Sequence, residues 1–252
     1  MISIRNVTKK YREKTVVDHV DLDLPKEQII AFIGSNGAGK STLLSMIART
    51  LSRNSGQVFI DEKELEEWKN SELSKKLSIL KQSNHFQIRL TIKELVAFGR
   101  YPYSKGKLTK EDENIIEEAL EYMELTDLKD RYLDELSGGQ RQMALIAMVI
   151  AQNTEYIFLD EPLNNLDMHH SVQIMKVLKR LVKEKGKTIM VVIHDINFVS
   201  CYADYVVAMK NGKLIRNGVT SEIIDPEVLK EIYGMTIQVE NYNGKNICLY
   251  YE

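Results

Sequence analysis

The run Gly34-Ser35-Asn36-Gly37-Ala38-Gly39-Lys40-Ser41 constrains this chain more than any other stretch. An apolar segment, Ile29–Ile33, leads into it, and a stretch of helical pattern, Thr42–Leu51, follows. Glycines let a backbone curl until successive N–H groups point inward, and a following helix adds the positive end of its dipole. The result is a cradle for phosphate oxygens. Within it, the Lys40 ammonium suits the β- and γ-phosphates of ATP, and the Ser41 hydroxyl suits a Mg²⁺ ion. An ordinary glycine-rich turn is the plainer reading, but such a turn needs neither the strand before it nor the helix after it.

Phosphate chemistry of this kind also needs a carboxylate at the end of a neighbouring strand. Tyr156-Ile157-Phe158-Leu159-Asp160-Glu161 supplies it. Four apolar residues fill a buried strand, and two acids emerge at its C-terminal end, where α/β sheets bind ligands. Asp160 is expected to hold Mg²⁺, directly or through water. Glu161 is expected to polarise the attacking water.

The rest of the chain suits an α/β architecture. Short β-rich segments, Ile2–Val7 and Thr15–Leu24, open it, and the apolar strands Leu77–Leu80 and Thr188–Ile193 join those already named. Near-continuous apolar strands alternating with helices mark a sheet covered on both faces. From about Thr91 to Gln152 the pattern turns helical. Thr109-Lys110-Glu111-Asp112 resembles a capping box, and Ile115, Ile116, Ala119, Leu120 and Met123 follow on one helical face. This stretch is expected to form a helical subdomain inserted in the sheet domain. Asn211-Gly212 and Asn243-Gly244 predict two hairpins.

Composition narrows the partners. Lys and Arg total 34 against 36 Asp and Glu, so the basic excess typical of phosphate-backbone binding is absent and no nucleic-acid partner is expected. The longest apolar runs, Met143–Ala151 and Ile189–Ile193, fall short of the roughly 20 residues that span a bilayer. The first residues alternate like a strand rather than a signal peptide. Cys201 and Cys248 have no metal-type spacing and are expected to be free thiols. Any membrane connection is therefore expected from another chain.

Leu136-Ser137-Gly138-Gly139-Gln140 decides the class. Ser137 can cap a helix that begins with glycines, leaving N–H donors for an anion. A nucleotide on Gly34–Ser41 already uses one helix-start phosphate site, so this is a second.

The five-residue run resembles the signature of ABC ATPases, and the resemblance extends over nearly the whole chain. It implies a P-loop NTPase (RecA-like) α/β core with an N-terminal antiparallel β subdomain and an inserted α-helical subdomain. Residues 1–90 and 153–252 would form the core, and 91–152 the helical part. It also implies a head-to-tail dimer, either a homodimer or a pairing with a homologue. Ser137, Gly138, Gly139 and Gln140 of one subunit would then cap the ATP held by Gly34 through Ser41 and Thr42 of the other.

Further positions match the family. Tyr11 stands where an aromatic stacks on adenine, a contact worth about 1–3 kcal/mol. Gln82 matches the glutamine that touches Mg²⁺ and links to the membrane partner through the region after it. Asp167, in Leu166-Asp167, matches the loop that crosses the dimer interface, and His194 matches the switch histidine on the γ-phosphate. The resemblance thus implies Glu161, His194, Lys40 and Gln82 as catalytic, and Ser41, Gln82 and Asp160 as metal-binding. Glu27, Ser35 and Met148 depart from the family's common glycine, proline and arginine, and altered packing is expected there.

One P-loop and one signature require two copies or a paired homologue. The chain is too short for the insertion of DNA-repair relatives and lacks the second cassette of translation-factor relatives. Phe98-Gly99-Arg100-Tyr101-Pro102-Tyr103 and Leu163-Asn164-Asn165-Leu166-Asp167 are similar to ATPases of iron(III)-siderophore importers, including catecholate systems such as those for petrobactin. The resemblance implies polytopic permease subunits, an extracellular substrate-binding protein and a place on the cytoplasmic face of the cell membrane. Haem and cobalamin importers share this architecture. An ABC ATPase without a membrane partner and a non-hydrolysing scaffold are the other readings. The Tyr101-Pro102-Tyr103 cluster suits a rigid half-buried turn or a surface for the permease.

Overall fold

The computed structural model describes residues 1–82 and 88–250. The fold is mixed α/β, in two compact units: Met1–Trp68 with Thr188–Glu252, and Lys69–Lys187. The helical stretch 91–152 lies wholly within the second.

In the first unit, an antiparallel sheet is ordered Lys14–Leu24, Ile2–Tyr11, Ser55–Ile60 and Lys63–Glu64. Alternation drives most of it: Ile2, Ile4, Val20, Leu22 and Leu24 are buried between more exposed neighbours, while at Val7 the pattern breaks and Thr8 and Lys9 are buried too. The first strand runs past the expected Val7 to Tyr11, because irregularities after Ile4, Val7 and Lys9 let it keep pairing with Lys14–Leu24.

Behind the phosphate loop, Ile29–Ile33 is fully buried between two parallel neighbours, Thr188–Val192 and Tyr205–Lys210. Lys213–Val219 returns antiparallel to Tyr205–Lys210 through Asn211 (φ 51°) and Gly212 (φ 81°), the left-handed pair that the sequence calls for. Gln238–Tyr242 and Lys245–Leu249 form the second expected hairpin. Both cysteines are free thiols.

The helix after the loop spans Lys40–Ile47, not the expected Thr42–Leu51. Gly39, at φ 99°, immediately precedes the helix and ends the loop, so Lys40 and Ser41 join the helix ahead of Thr42. Its far end stops at Ala48 because Arg49 turns left-handed (φ 54°) and Thr50 N–H folds back onto the Ser45 carbonyl.

In the second unit, Leu77–Leu80 pairs in parallel with Tyr156–Asp160. The helices Ile92–Ala97, Lys110–Tyr122 and Gly138–Ala151 pack on one another. Ile92, Leu95, Val96, Ile116, Leu120, Met143 and Ile146 fill the space between them. Each such burial contributes about 1.5–3 kcal/mol. Thr109 and Asp112 form the expected capping box. Among the described residues, no helix is long and apolar enough to cross a membrane.

Candidate nucleotide site and its comparisons

The loop Gly34–Gly39 is held by close approach. A Cβ on Gly34 would stand 2.0 Å from the Met209 carbonyl oxygen, and one on Gly39 would stand 2.5 Å from that of Val16. Only glycine fits at either position. Ala38 N–H closes the turn on the Ser35 carbonyl at 3.1 Å. Lys40 is 4% exposed, and its ammonium lies across the loop, donating to the carbonyls of Gly34 (2.8 Å) and Ser35 (2.9 Å). The helix it begins has no side-chain cap and no acid in its first turn. The helices starting at Ile92, Lys110, Gly138 and Met168 all carry a side-chain cap. An uncapped helix start behind a glycine loop fits a phosphate. Asn36 and Gly37 are exposed, and Ser41 and Thr42 are partly exposed along the first turn.

The same unit places Tyr11 at the end of its strand, half exposed, with the Lys9 ammonium 5.2 Å from the ring centroid. His194 is exposed just past Thr188–Val192, one residue before Asp195 caps the helix Ile196–Tyr202. Glu27 sits at φ 56°, which explains the family's glycine there, and its N–H donates to Thr188 Oγ1 at 2.9 Å. One contact was not legible in the sequence. Tyr233, the last residue of the helix Pro226–Tyr233, lies against the backbone of Gly34; burial pushes its phenol up to about 12.

In the second unit, parallel pairing brings Gln82 and Glu161 together. Gln82 follows Leu77–Leu80, Glu161 follows Tyr156–Asp160, and Gln82 Nε2 donates to Glu161 Oε2 at 2.7 Å. Asn164 Nδ2 donates to the same oxygen. Two amide donors thus orient the carboxylate. Glu161 itself is left-handed (φ 52°), which turns the chain sharply after the strand. Asp160 remains inside the strand end, 8% exposed.

Ser137 caps Gly138–Ala151 in a reciprocal box with Gln140: its hydroxyl accepts from Gln140 N–H, and Gln140 Oε1 accepts from Ser137 N–H, both at 3.2 Å. Gly138 and Gly139 therefore carry the open N–H groups of this helix start. Asp167 caps Met168–Lys185 by accepting from His170 N–H at 2.9 Å. That N–H, followed by the His170 ring, holds the Asp167 carboxyl below its usual range.

The Phe98–Tyr103 stretch is anchored from inside at Arg100 and half-buried at Pro102 and Tyr103. Arg100 Nε donates to Asp112 Oδ1 at 2.8 Å, each residue 4% exposed, and its Nη1 donates to the Ala151 carbonyl. Tyr103 stacks on the Arg100 guanidinium at 4.0 Å. Phe98 and Tyr101 remain exposed. The contact region expected after Gln82 falls on residues 83–87, outside the described residues.

A family model described as ABC transporter matches residues 17–164, which include Lys40, Gln82, Ser137 and Glu161. The chain belongs to the ABC transporter family. This ABC protein is 57% identical over 251 residues to the petrobactin import ATP-binding protein YclP of Bacillus subtilis, with 100% of both chains covered. Its fold matches a metal-chelate type ABC transporter in an inward-facing conformation (TM-score 0.84, 25% identity, 99% of this chain and 98% of that one). It also matches the dimeric ATP-binding cassette MJ0796 in a post-hydrolysis state bound to ADP and Pi (TM-score 0.78, 30% identity, 87% of this chain and 99% of that one).

Proposed function

We propose that Lys40, Ser41, Gln82, Asp160, Glu161 and His194 hydrolyse ATP and that the energy drives a polytopic permease. The chain is the ATPase subunit of an ABC importer for iron(III)-siderophore complexes. The observation that carries this reading is the end-to-end 57% identity to a petrobactin import ATP-binding protein. Residues 1–90 and 153–252 serve as its ATP-binding core, and 91–152 as its helical subdomain.

The donor chemistry fits Mg²⁺. Ser41 offers a hydroxyl and Asp160 a carboxylate. Gln82 offers an amide oxygen, since its nitrogen is engaged with Glu161. Such hard oxygen donors are the set that Mg²⁺ takes. When bound, Mg²⁺ supplies positive charge to the phosphate oxygens.

This chain's own residues do the rest. Tyr11 stacks on adenine, while the N–H groups of Gly34–Thr42 and the Lys40 ammonium grip the triphosphate. Glu161 positions a water and accepts its proton as the water oxygen bonds to the γ-phosphorus. The bond from that phosphorus to the β–γ bridging oxygen breaks, and ADP leaves with the electron pair. His194 contacts the γ-phosphate. Ser137 and the open N–H groups of Gly138 and Gly139, from a second subunit joined head to tail, meet the negative charge that develops. Gln140 fixes that helix start, and Asp167 reaches across to the second subunit. The dimeric MJ0796 cassette with ADP and Pi supports both the pairing and the reaction.

Phe98 and Tyr101 offer exposed aromatic surface to the permease. An extracellular binding protein completes the assembly, with this subunit on the cytoplasmic face of the cell membrane. Affinity purification from detergent-solubilised host membranes tests the reading. A polytopic permease should co-elute, and ATP turnover of that complex should rise when its binding protein carries a ferric catecholate. Elution of the chain without a permease would contradict it.

A further inference from the structure

We propose that Asp167, His169 and His170 form a binding site for a first-row divalent transition metal ion. One carboxylate oxygen of Asp167 and one ring nitrogen from each histidine lie within 4.8 Å of one another. Adjacent ligands on bonds of about 2.0–2.1 Å, set at right angles, stand about 2.9 Å apart. Asp167 Oδ2 and His170 Nδ1 are 2.8 Å apart, so this pair already has the spacing of a coordination edge. The His169 ring stands perpendicular to that of His170, with centroids 5.6 Å apart. His169 is exposed, so a side-chain rotation can draw its nitrogen inward.

The site is partly preorganised. A Cβ on Gly139 would stand 2.7 Å from the His170 ring, so this imidazole is packed against the signature helix. Capping the helix Met168–Lys185 needs only Asp167 and the His170 N–H. It gives no role to a second imidazole at His169. Access is open, because His169 lines a surface cavity together with Met168 and Glu124. Two imidazoles and one carboxylate suit iron(II), cobalt(II), nickel(II) or zinc(II), whereas Mg²⁺ favours an all-oxygen set. The ion therefore does not compete for the Mg²⁺ of hydrolysis. On binding, His170 Nδ1 and Asp167 Oδ2 exchange their mutual contact for a shared ion.

A regulatory consequence rests on the dimer reading above. An ion on the Asp167 carboxylate ties it to its own subunit, so metal-loaded protein should turn over ATP more slowly. Cobalt(II) is the probe, titrated into nucleotide-free, tag-free full chain and read by calorimetry and visible absorption. Wild type should take up one cobalt per chain with d–d bands, and His169→Ala should bind at least about 10-fold more weakly. His169→Ala should keep its helical circular dichroism and its cobalt-free ATP turnover while losing inhibition by cobalt. Equal cobalt affinity in the two proteins, or no stoichiometric binding in wild type, would overturn the site. Binding without inhibition would overturn the regulatory consequence. Failure of the ABC reading looks different: no ATP turnover in wild type without cobalt, whatever the binding titration shows.

Discussion

Asp112→Ala removes one half of a buried charge pair whose partner cannot follow. The Asp112 carboxylate takes Arg100 Nε at 2.8 Å on one oxygen, and Thr109 N–H (2.9 Å) and Oγ1 (2.8 Å) on the other. Alanine leaves the Arg100 guanidinium 4% exposed with the Ala151 carbonyl and the Tyr103 ring as its remaining company. Breaking such a pair from one side costs about 3–5 kcal/mol. Losing half of a capping box adds about 0.5–1 kcal/mol. Together the loss should be about 4 kcal/mol, read as a lowered urea midpoint by helical circular dichroism. Arg100→Met combined with Asp112→Ala should recover part of it, because no buried charge is then left alone.

The pH dependence has a definite sign. The Thr109 N–H, with Arg100 and the Thr109 hydroxyl, holds the Asp112 carboxyl below its usual range. Its contribution is therefore fully present above the unfolded value of about 3.9 and is lost as pH falls through the lower folded value. The gap between wild type and Asp112→Ala should be flat above about pH 5 and narrow below about pH 4. A loss under about 1 kcal/mol at neutral pH, or a gap that widens in acid, would refute the reasoning.

Other expectations concern the phosphate loop. Lys40→Ala should weaken ATP binding about 10- to 100-fold in a fluorescent-nucleotide titration, the equivalent of losing charge-assisted hydrogen bonds; unchanged affinity would remove the cradle from the account. Gly34→Ala should destabilise the chain by about 3 kcal/mol or more, since its Cβ meets the Met209 carbonyl at 2.0 Å. Gly37→Ala has nothing within 4 Å and should cost only the left-handed strain of φ 77°, about 1–2 kcal/mol. Thermal melts of the two variants should rank in that order.

Much of the site was legible because its signals are local. An all-apolar strand followed by glycines, and a second followed by two acids, need no knowledge of tertiary contacts. The capping boxes at Thr109 and Ser137 are equally local, each pairing residues three apart. The glycine-rich run counts Lys40 and Ser41 with the loop, whereas the left-handed Gly39 sets the helix boundary before them. The bond between Gln82 and Glu161 joins residues 79 apart and exists only through the pairing of two parallel strands. The Tyr233 contact with Gly34 depends on where the C-terminal helix packs, which no spacing encodes. Arg100 is legible in the sequence only as part of a family-like run, and only packing shows that Asp112 and Ala151 hold it inside.

The proposed hydrolysis depends most directly on Glu161, whose carboxylate Gln82 and Asn164 orient. Steady-state phosphate release by Glu161→Gln, measured beside its ATP affinity, tests that claim. Turnover should fall at least about 10²-fold with affinity retained. Hydrolysis near the wild-type rate would contradict the account.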